Sequence, residues 1–181
     1  IIGFFAFTAR DQAAIEADPG EPDVRIEAFG KRWAWDFNYL NENVYTPGVQ
    51  AQPDSAGNLD ESTLPALYLP VGEKVQIDLG SRDVIHSFWV IDFLYKKDMI
   101  PERTTHMYFI PEKEGVYRGK CAELCGEYHA DMLFTVHVVS RAEYDAHIEE
   151  LRAAGYEGRL DGSYNVNQNL PGVSGTGETE D

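Results

Sequence analysis

From Val24 onward the chain alternates apolar and polar positions. Val24, Ile26 and Ala28 stand against Arg25 and Glu27, and Trp33, Trp35, Phe37 and Tyr39 then share one parity. A period of two marks a strand with one buried face, so both runs are predicted strands. Short apolar runs of the same kind follow at ALYLP (66–70), KVQIDL (74–79), VIHSFWVI (84–91), THMYFI (105–110), GVYRGK (115–120) and MLFTVHVV (132–139). Turn residues such as Val71-Gly72, Gly80-Ser81-Arg82-Asp83 and 111–115 (PEKEG) punctuate them. Many short strands separated this way predict an all-β sandwich or barrel. After Ser140 the period changes. Glu143 completes a capping box with Ser140, Tyr144, Ile148 and Leu151 share one helical face, and Gly155 is the expected stop.

These elements divide the chain. Residues 23–140 form the β-domain, interrupted by an excursion at 41–65 rich in Asn, Gly, Pro, Ser and Asp. A loop of that length inside a domain is uncommon and often functional. Residues 141–155 form a C-terminal helix, and 156–181 read as an extended acidic tail or surface arm. The chain begins IIGFFAF, seven apolar residues where a membrane span needs about 20. Residues 1–22 are therefore expected to be the end of a longer transmembrane helix and its linker; a buried first strand is the simpler alternative.

At 181 residues the chain is long enough for one domain with a true core. Its charge is lopsided, with 31 Asp and Glu against 15 Lys and Arg, a formal net of −16. A phosphate backbone would be repelled, which excludes nucleic acid as a partner. A basic protein partner, or simply a well-solvated surface, fits.

The chemistry concentrates in GKCAELCGEYHADM, residues 119–132, which holds both cysteines of the chain. Three readings compete. A disulfide between Cys121 and Cys125 would close a very small loop and stabilise modestly. A zinc site would take Cys121, Cys125, His129 and one distant histidine. Neither accounts for Met132, whose thioether is a soft ligand typical of copper electron-transfer sites. A mononuclear blue-copper site would use His86 from the 84–91 strand with Cys125, His129 and Met132, and would leave Cys121 over. Two cysteines, two histidines and one methionine together argue for a dinuclear copper centre in which both sulfurs bridge.

CAELCGEYHADM fits the pattern C-x-E-x-C-G-x-x-H-x-x-M, and with DVIHSF and the aromatic segment KRWAWDFNY it resembles the CuA domain of cytochrome c oxidase subunit II over roughly residues 23–153. The resemblance implies a cupredoxin-like Greek-key fold. It also implies that Cys121 and Cys125 bridge two copper ions. His86 and Met132 would complete one shell, and His129 with the backbone carbonyl of Glu123 the other. The Glu123 side chain would reach a Mg²⁺ or Mn²⁺ at the interface with subunit I. Trp33 would be the point where electrons enter from cytochrome c, with Trp35 as a core residue. Because Lys31, Arg32 and Arg82 stand near that point, acidic docking residues are expected elsewhere, in the 41–65 excursion or the tail. A tethered or fused cytochrome c domain is then the alternative donor.

The implied function is the electron-accepting subunit of a membrane-bound oxidase. The domain would lie on the outer face of the cell membrane, beside subunit I and other oxidase subunits. O₂ reduction and proton pumping would belong to subunit I. The alternatives are the CuA domain of nitrous oxide reductase and a non-enzymatic copper carrier or zinc-stabilised module. His106, His137 and His147 read as ordinary surface or packing histidines, and Met99 and Met107 as core fillers.

Overall fold

The computed structural model describes residues 1–18 and 20–163. Helix α1 (Ile2–Glu16) leads into ten strands: β1 (Val24–Lys31), β2 (Ala34–Tyr39), β3 (Val44–Thr46), β4 (Ala66–Pro70), β5 (Val75–Ser81), β6 (His86–Val90), β7 (Tyr95–Met99), β8 (Thr105–Phe109), β9 (Gly115–Cys121) and β10 (Leu133–Val139). Helix α2 (Arg141–Ala153) follows. The strands form two five-stranded sheets, ordered β3-β2-β1-β5-β8 and β4-β10-β9-β6-β7. Neighbours are antiparallel except β1 with β5 and β4 with β10, so both sheets contain crossovers between strands distant in sequence.

The inner faces follow the predicted parity. Trp35, Phe37, Phe88 and Phe134 meet between the sheets, with ring centroids of Trp35 and Phe134 at 4.9 Å and of Phe88 and Phe134 at 4.8 Å. Each of these side chains is fully buried, and burial of large aromatics dominates the energetics of a core this size. The register carries the consequence for function. Phe88 of β6 pairs with Cys121 of β9, and Lys120 of β9 pairs with Leu133 of β10. The start of β6, the end of β9 and the start of β10 therefore lie at one end of one sheet.

Strand β2 departs from the expected one-sided burial, for all six of its residues are buried. Two segments cover its outer face. Residues 47–51 of the excursion cross it, with the Gly48 N–H donating to Asp36 Oδ1 at 2.8 Å. A Cβ on Gly48 would fall 1.8 Å from the Trp35 carbonyl oxygen, so only glycine permits this approach. Farther along, Leu160 and Asn38 exchange two hydrogen bonds of 2.9 and 2.8 Å. The surface arm is thus docked as far as the described residues run, and Arg159 pairs with Glu27 of β1 at 2.6 Å. The remainder of the predicted acidic tail, 164–181, lies outside the described residues.

Burying Asp36 creates an ionic core. Its carboxylate lies 3.0 Å from Lys31 Nζ and 3.2 Å from Arg82 Nη2, the latter within ion-pair distance but not aligned as a hydrogen bond. Lys31 and Arg82 are themselves 6% and 8% exposed. Burial lowers the Lys31 pKa, with Asp36 acting in the opposite direction. These two cations were expected beside the docking surface; they are instead internal, where the buried Asp36 carboxylate on β2 offsets part of the cost of removing them from water.

Helix α2 carries the predicted cap. Ser140 accepts from the Glu143 N–H, and Glu143 reaches back to the Ser140 N–H. At the other end Tyr156 N–H donates to Leu151 O and Gly155 N–H to Arg152 O, closing a Schellman motif with Gly155 at φ +85°. Tyr144, Ile148 and Leu151 face β3 and β4. His147 stacks on Tyr68 of β4 with centroids 3.7 Å apart, and His137 stacks on the same ring at 4.6 Å. The apolar start of the chain is helical rather than a strand, but none of α1 is buried. Among the described residues no helix is long and apolar enough to cross a membrane.

Two outcomes follow. Asp36→Ala strands two buried cations and should destabilise the domain by about 3–5 kcal/mol, measured by denaturant unfolding; a loss below about 1 kcal/mol would show that solvent reaches Lys31 and Arg82. Burial lowers the pKa of both His147 and His137. The unfolded chain binds protons there first, so stability is lost as pH falls below the ordinary histidine value of about 6.5. His147→Gln should flatten the fall in denaturation midpoint between pH 7.5 and 5.5 relative to the parent chain.

Candidate metal centre

The loop from the end of β9 to the start of β10 is closed by its own ends. Cys121 N–H donates to Met132 O at 3.0 Å, and the buried Trp35 Nε1–H donates to the same oxygen at 3.3 Å from the opposite sheet. Ala122 N–H donates to Ser87 O, which ties the loop to β6. Within the loop a 3₁₀ turn at His129–Asp131 brings His129 back over Cys125. Side chains eleven residues apart in sequence thereby converge.

Six donors meet. The two sulfurs lie 3.8 Å apart, and both cysteines are free and buried. His86 Nδ1 is 3.8 Å from Cys121 Sγ, His129 Nδ1 is 3.5 Å from Cys125 Sγ, and Met132 Sδ is 3.7 Å from Cys125 Sγ. The Glu123 carbonyl oxygen lies 3.1 Å from Cys121 Sγ. Every donor expected from the sequence is present at one place. Among the described residues, His86, Cys121 and Cys125 also form the one group of histidine, cysteine and carboxylate donors compact enough to hold a metal ion, within 4.8 Å.

The distances exclude a disulfide in this state, since a bonded pair needs about 2.05 Å between sulfurs. Two thiols this close cannot both ionise without a cation between them. Their mutual hydrogen bond lowers the pKa of Cys121, and the same contact with burial raises that of Cys125. A bound soft cation removes this conflict, because it accepts both thiolates at once. The donor set of two thiols, two imidazoles and a thioether fits copper far better than a hard ion.

Asp83, which sequence reasoning passed over as part of a turn, supports His86. Its Oδ1 accepts from His86 Nε2–H at 2.8 Å, which leaves Nδ1 as the lone-pair nitrogen facing sulfur. The His86 side chain is fully buried and that of Asp83 is 1% exposed. Burial opposes a charged imidazole, but Asp83 and Cys121 outweigh it and raise the His86 pKa. Asp83 Oδ2 in turn accepts from the Arg32 N–H at 2.7 Å.

Trp33 is not in a strand. It lies with Arg32 in the two-residue turn between Lys31 and Ala34, which places the indole half-buried against the donor loop rather than in the core. Its ring meets Tyr128 edge-on at 4.9 Å. A Cβ on Gly126 would fall 3.1 Å from Trp33 Cζ2. Trp35 fills the core role, fully buried. The Glu123 side chain is exposed, and the described residues bring no other carboxylate or histidine to it as a compact metal group.

A two-sheet Greek-key-type sandwich with cysteine, histidine and methionine donors at one end of a sheet defines a cupredoxin-like metal domain. The model of the family "Cytochrome C oxidase subunit II, periplasmic domain" matches residues 24–139. The chain belongs to the cytochrome c oxidase subunit II family, which implies a CuA copper centre. It is 39% identical to the probable cytochrome c oxidase subunit 2 of Streptomyces avermitilis, over 85% of this chain and 57% of that protein. It thus spans little more than half the length of that relative. The crystal structure of the periplasmic domain of subunit II (CoxB) of Bradyrhizobium japonicum superposes with a TM-score of 0.65 at 28% identity, covering 74% of this chain and 96% of that one. A second structure, a mixed disulfide intermediate between a thioredoxin-like protein and subunit II of cytochrome c oxidase, matches with a TM-score of 0.62 at 28% identity, covering 77% and 98%.

Gly126 has φ +124° as well as the Trp33 contact, so a side chain there is both strained and crowded. Gly126→Ala should destabilise the domain by about 1–3 kcal/mol. The exposed neighbouring substitution Glu127→Ala should stay within about 0.5 kcal/mol by the same denaturation assay; equal effects would mean that the loop is not packed on Trp33.

Proposed function

We propose that this chain is the electron-accepting part of a membrane-bound cytochrome c oxidase. It would take electrons one at a time from a cytochrome c, free or tethered, and deliver them toward the haem of subunit I. The observation that carries this reading is the pair of unbonded sulfurs 3.8 Å apart, ringed by two imidazole nitrogens, a thioether and a carbonyl.

Cys121 and Cys125 would hold two copper ions between them, with His86 and Met132 on one and His129 and the Glu123 carbonyl on the other. A thiolate-bridged copper pair supplies a one-electron carrier whose charge is shared over both metals, so little must rearrange on reduction. The chain's residues supply the rest. His86 and Met132 are fully buried and keep water from one side of the donors. The closed loop and the Asp83–His86 hydrogen bond hold the donors in place before any metal arrives. Trp33, half-buried and packed on the loop at Gly126, offers an electron path from a partner to the centre.

The family model describes a periplasmic domain, which supports a location on the outer face of the membrane. Residues 1–22 would be the end of a transmembrane helix and its linker, with 23–140 as the metal domain and 141–155 as its closing helix. The Glu123 side chain, which is exposed, would complete a Mg²⁺ or Mn²⁺ site only with ligands from subunit I. The relative captured with a thioredoxin-like protein suggests a similar reductant here, keeping Cys121 and Cys125 as thiols until copper is loaded. The similar proteins described above are all oxidase subunits, which disfavours nitrous oxide reductase. Donors drawn from two strands and a closed loop disfavour a copper carrier, whose site must open to release its cargo.

Trp33→Ala in the assembled oxidase should slow electron transfer from cytochrome c on the order of tenfold or more, with the copper spectrum unchanged. An unchanged rate would mean that electrons enter elsewhere. Met132→Leu should retain two coppers and shift their potential; loss of all copper would show that the two thiolates alone cannot hold the pair.

A further inference from the structure

The carboxylate of Asp83 is saturated on both oxygens. Oδ1 accepts from His86 Nε2–H at 2.8 Å and from the Val84 N–H at 2.7 Å. Oδ2 accepts from the Arg32 N–H at 2.7 Å and lies 3.4 Å from Arg32 Nε. The Asp83 side chain is 1% exposed, whereas that of Arg32 is 36% exposed and reaches solvent. Arg32 directly precedes Trp33 in the β1–β2 turn. One buried carboxylate thus joins a donor imidazole to the turn that carries the proposed electron path.

The two charges act on His86 in opposite senses. A carboxylate hydrogen-bonded to the far nitrogen of an imidazole pushes electron density toward the ligating nitrogen and favours the more oxidised metal. A guanidinium on the other carboxylate oxygen withdraws part of that density. Asp83 is buried and its effect is little screened, whereas solvent screens part of the effect of the more exposed Arg32.

We propose that Arg32 and Asp83 form a positioning pair that sets the reduction potential of the centre through His86. Asp83 holds the Nε2–H tautomer, and Arg32 limits how much carboxylate charge reaches the ring. Neither is a metal ligand. The proposal rests on the copper function proposed above.

The test uses the purified oxidase complex carrying Arg32→Gln, Arg32→Lys, Asp83→Asn and the double variant Arg32→Gln/Asp83→Asn. The readouts are copper content, the midpoint potential of the copper centre by redox titration, and its EPR hyperfine pattern. Asn keeps an acceptor for His86 Nε2–H while removing the charge. Arg32→Gln should lower the potential, Arg32→Lys should leave it near the parent value, and Asp83→Asn should raise it. In the double variant the effect of Arg32→Gln should shrink to a small part of its size in the parent, because the carboxylate charge it moderates is gone. Shifts of the same sign, a full Arg32→Gln effect in the double variant, or unchanged potentials would overturn the proposal. If Asp83→Asn fails to load copper, the Arg32 variants decide: a lowered potential in Gln restored in Lys supports the pair, and no shift refutes it. A parent complex without copper would refute the function itself, before any variant is compared.

Discussion

The carbonyl oxygen of Met132 accepts two N–H donors, one from Cys121 in its own sheet and one from the Trp35 indole in the facing sheet. This acceptor closes the donor loop at its base and fastens it to the centre of the aromatic core. A buried N–H left unpaired costs about 1–3 kcal/mol, so the arrangement resists opening from either side. The rigidity of the donor loop depends on it, while the Asp83–His86 hydrogen bond fixes the remaining donor on β6. The two sulfurs, the thioether and the His129 imidazole all hang from a loop whose ends cannot separate without leaving the Cys121 N–H unpaired.

Around that anchor the molecule recruits support from segments that are remote in sequence. β6 brings His86 because it pairs with β9 in a register that sets Phe88 opposite Cys121. The β1–β2 turn brings Arg32 to Asp83 and Trp33 to Gly126. The excursion and the C-terminal arm cover β2 from outside, which buries Asp36 and draws Lys31 and Arg82 inward. Lys31 and Arg82 are thereby internal, and Arg32 is paired with Asp83.

Much of this was legible in the residues. Period-two alternation located most strands, Ser140 and Glu143 located the start of α2, and the donor spacing located the centre together with His86. What escaped has physical reasons. β7 reads Tyr95-Lys-Lys-Asp-Met99, an edge strand that alternates half-buried and exposed residues and so lacks an apolar face. β3 is three residues long inside a stretch rich in turn formers. Trp33 shares the parity of Trp35, and parity cannot show that the strand begins one residue later, at Ala34. Asp36 and Asn38 look solvent-facing because their cover comes from loops, whose path local pattern does not encode. Asp83 was hidden for the same reason: its partners are Arg32, 51 residues away, and a histidine that was read only as a metal ligand.

The central claim is that the loop holds two metals rather than one and that they share an electron. Metal analysis combined with EPR on the purified oxidase complex tests this directly. The proposed function predicts two coppers per chain, with hyperfine splitting distributed over both nuclei in the oxidised centre. A single copper, or a zinc ion in its place, would contradict the account, because a lone metal cannot share an electron between two nuclei.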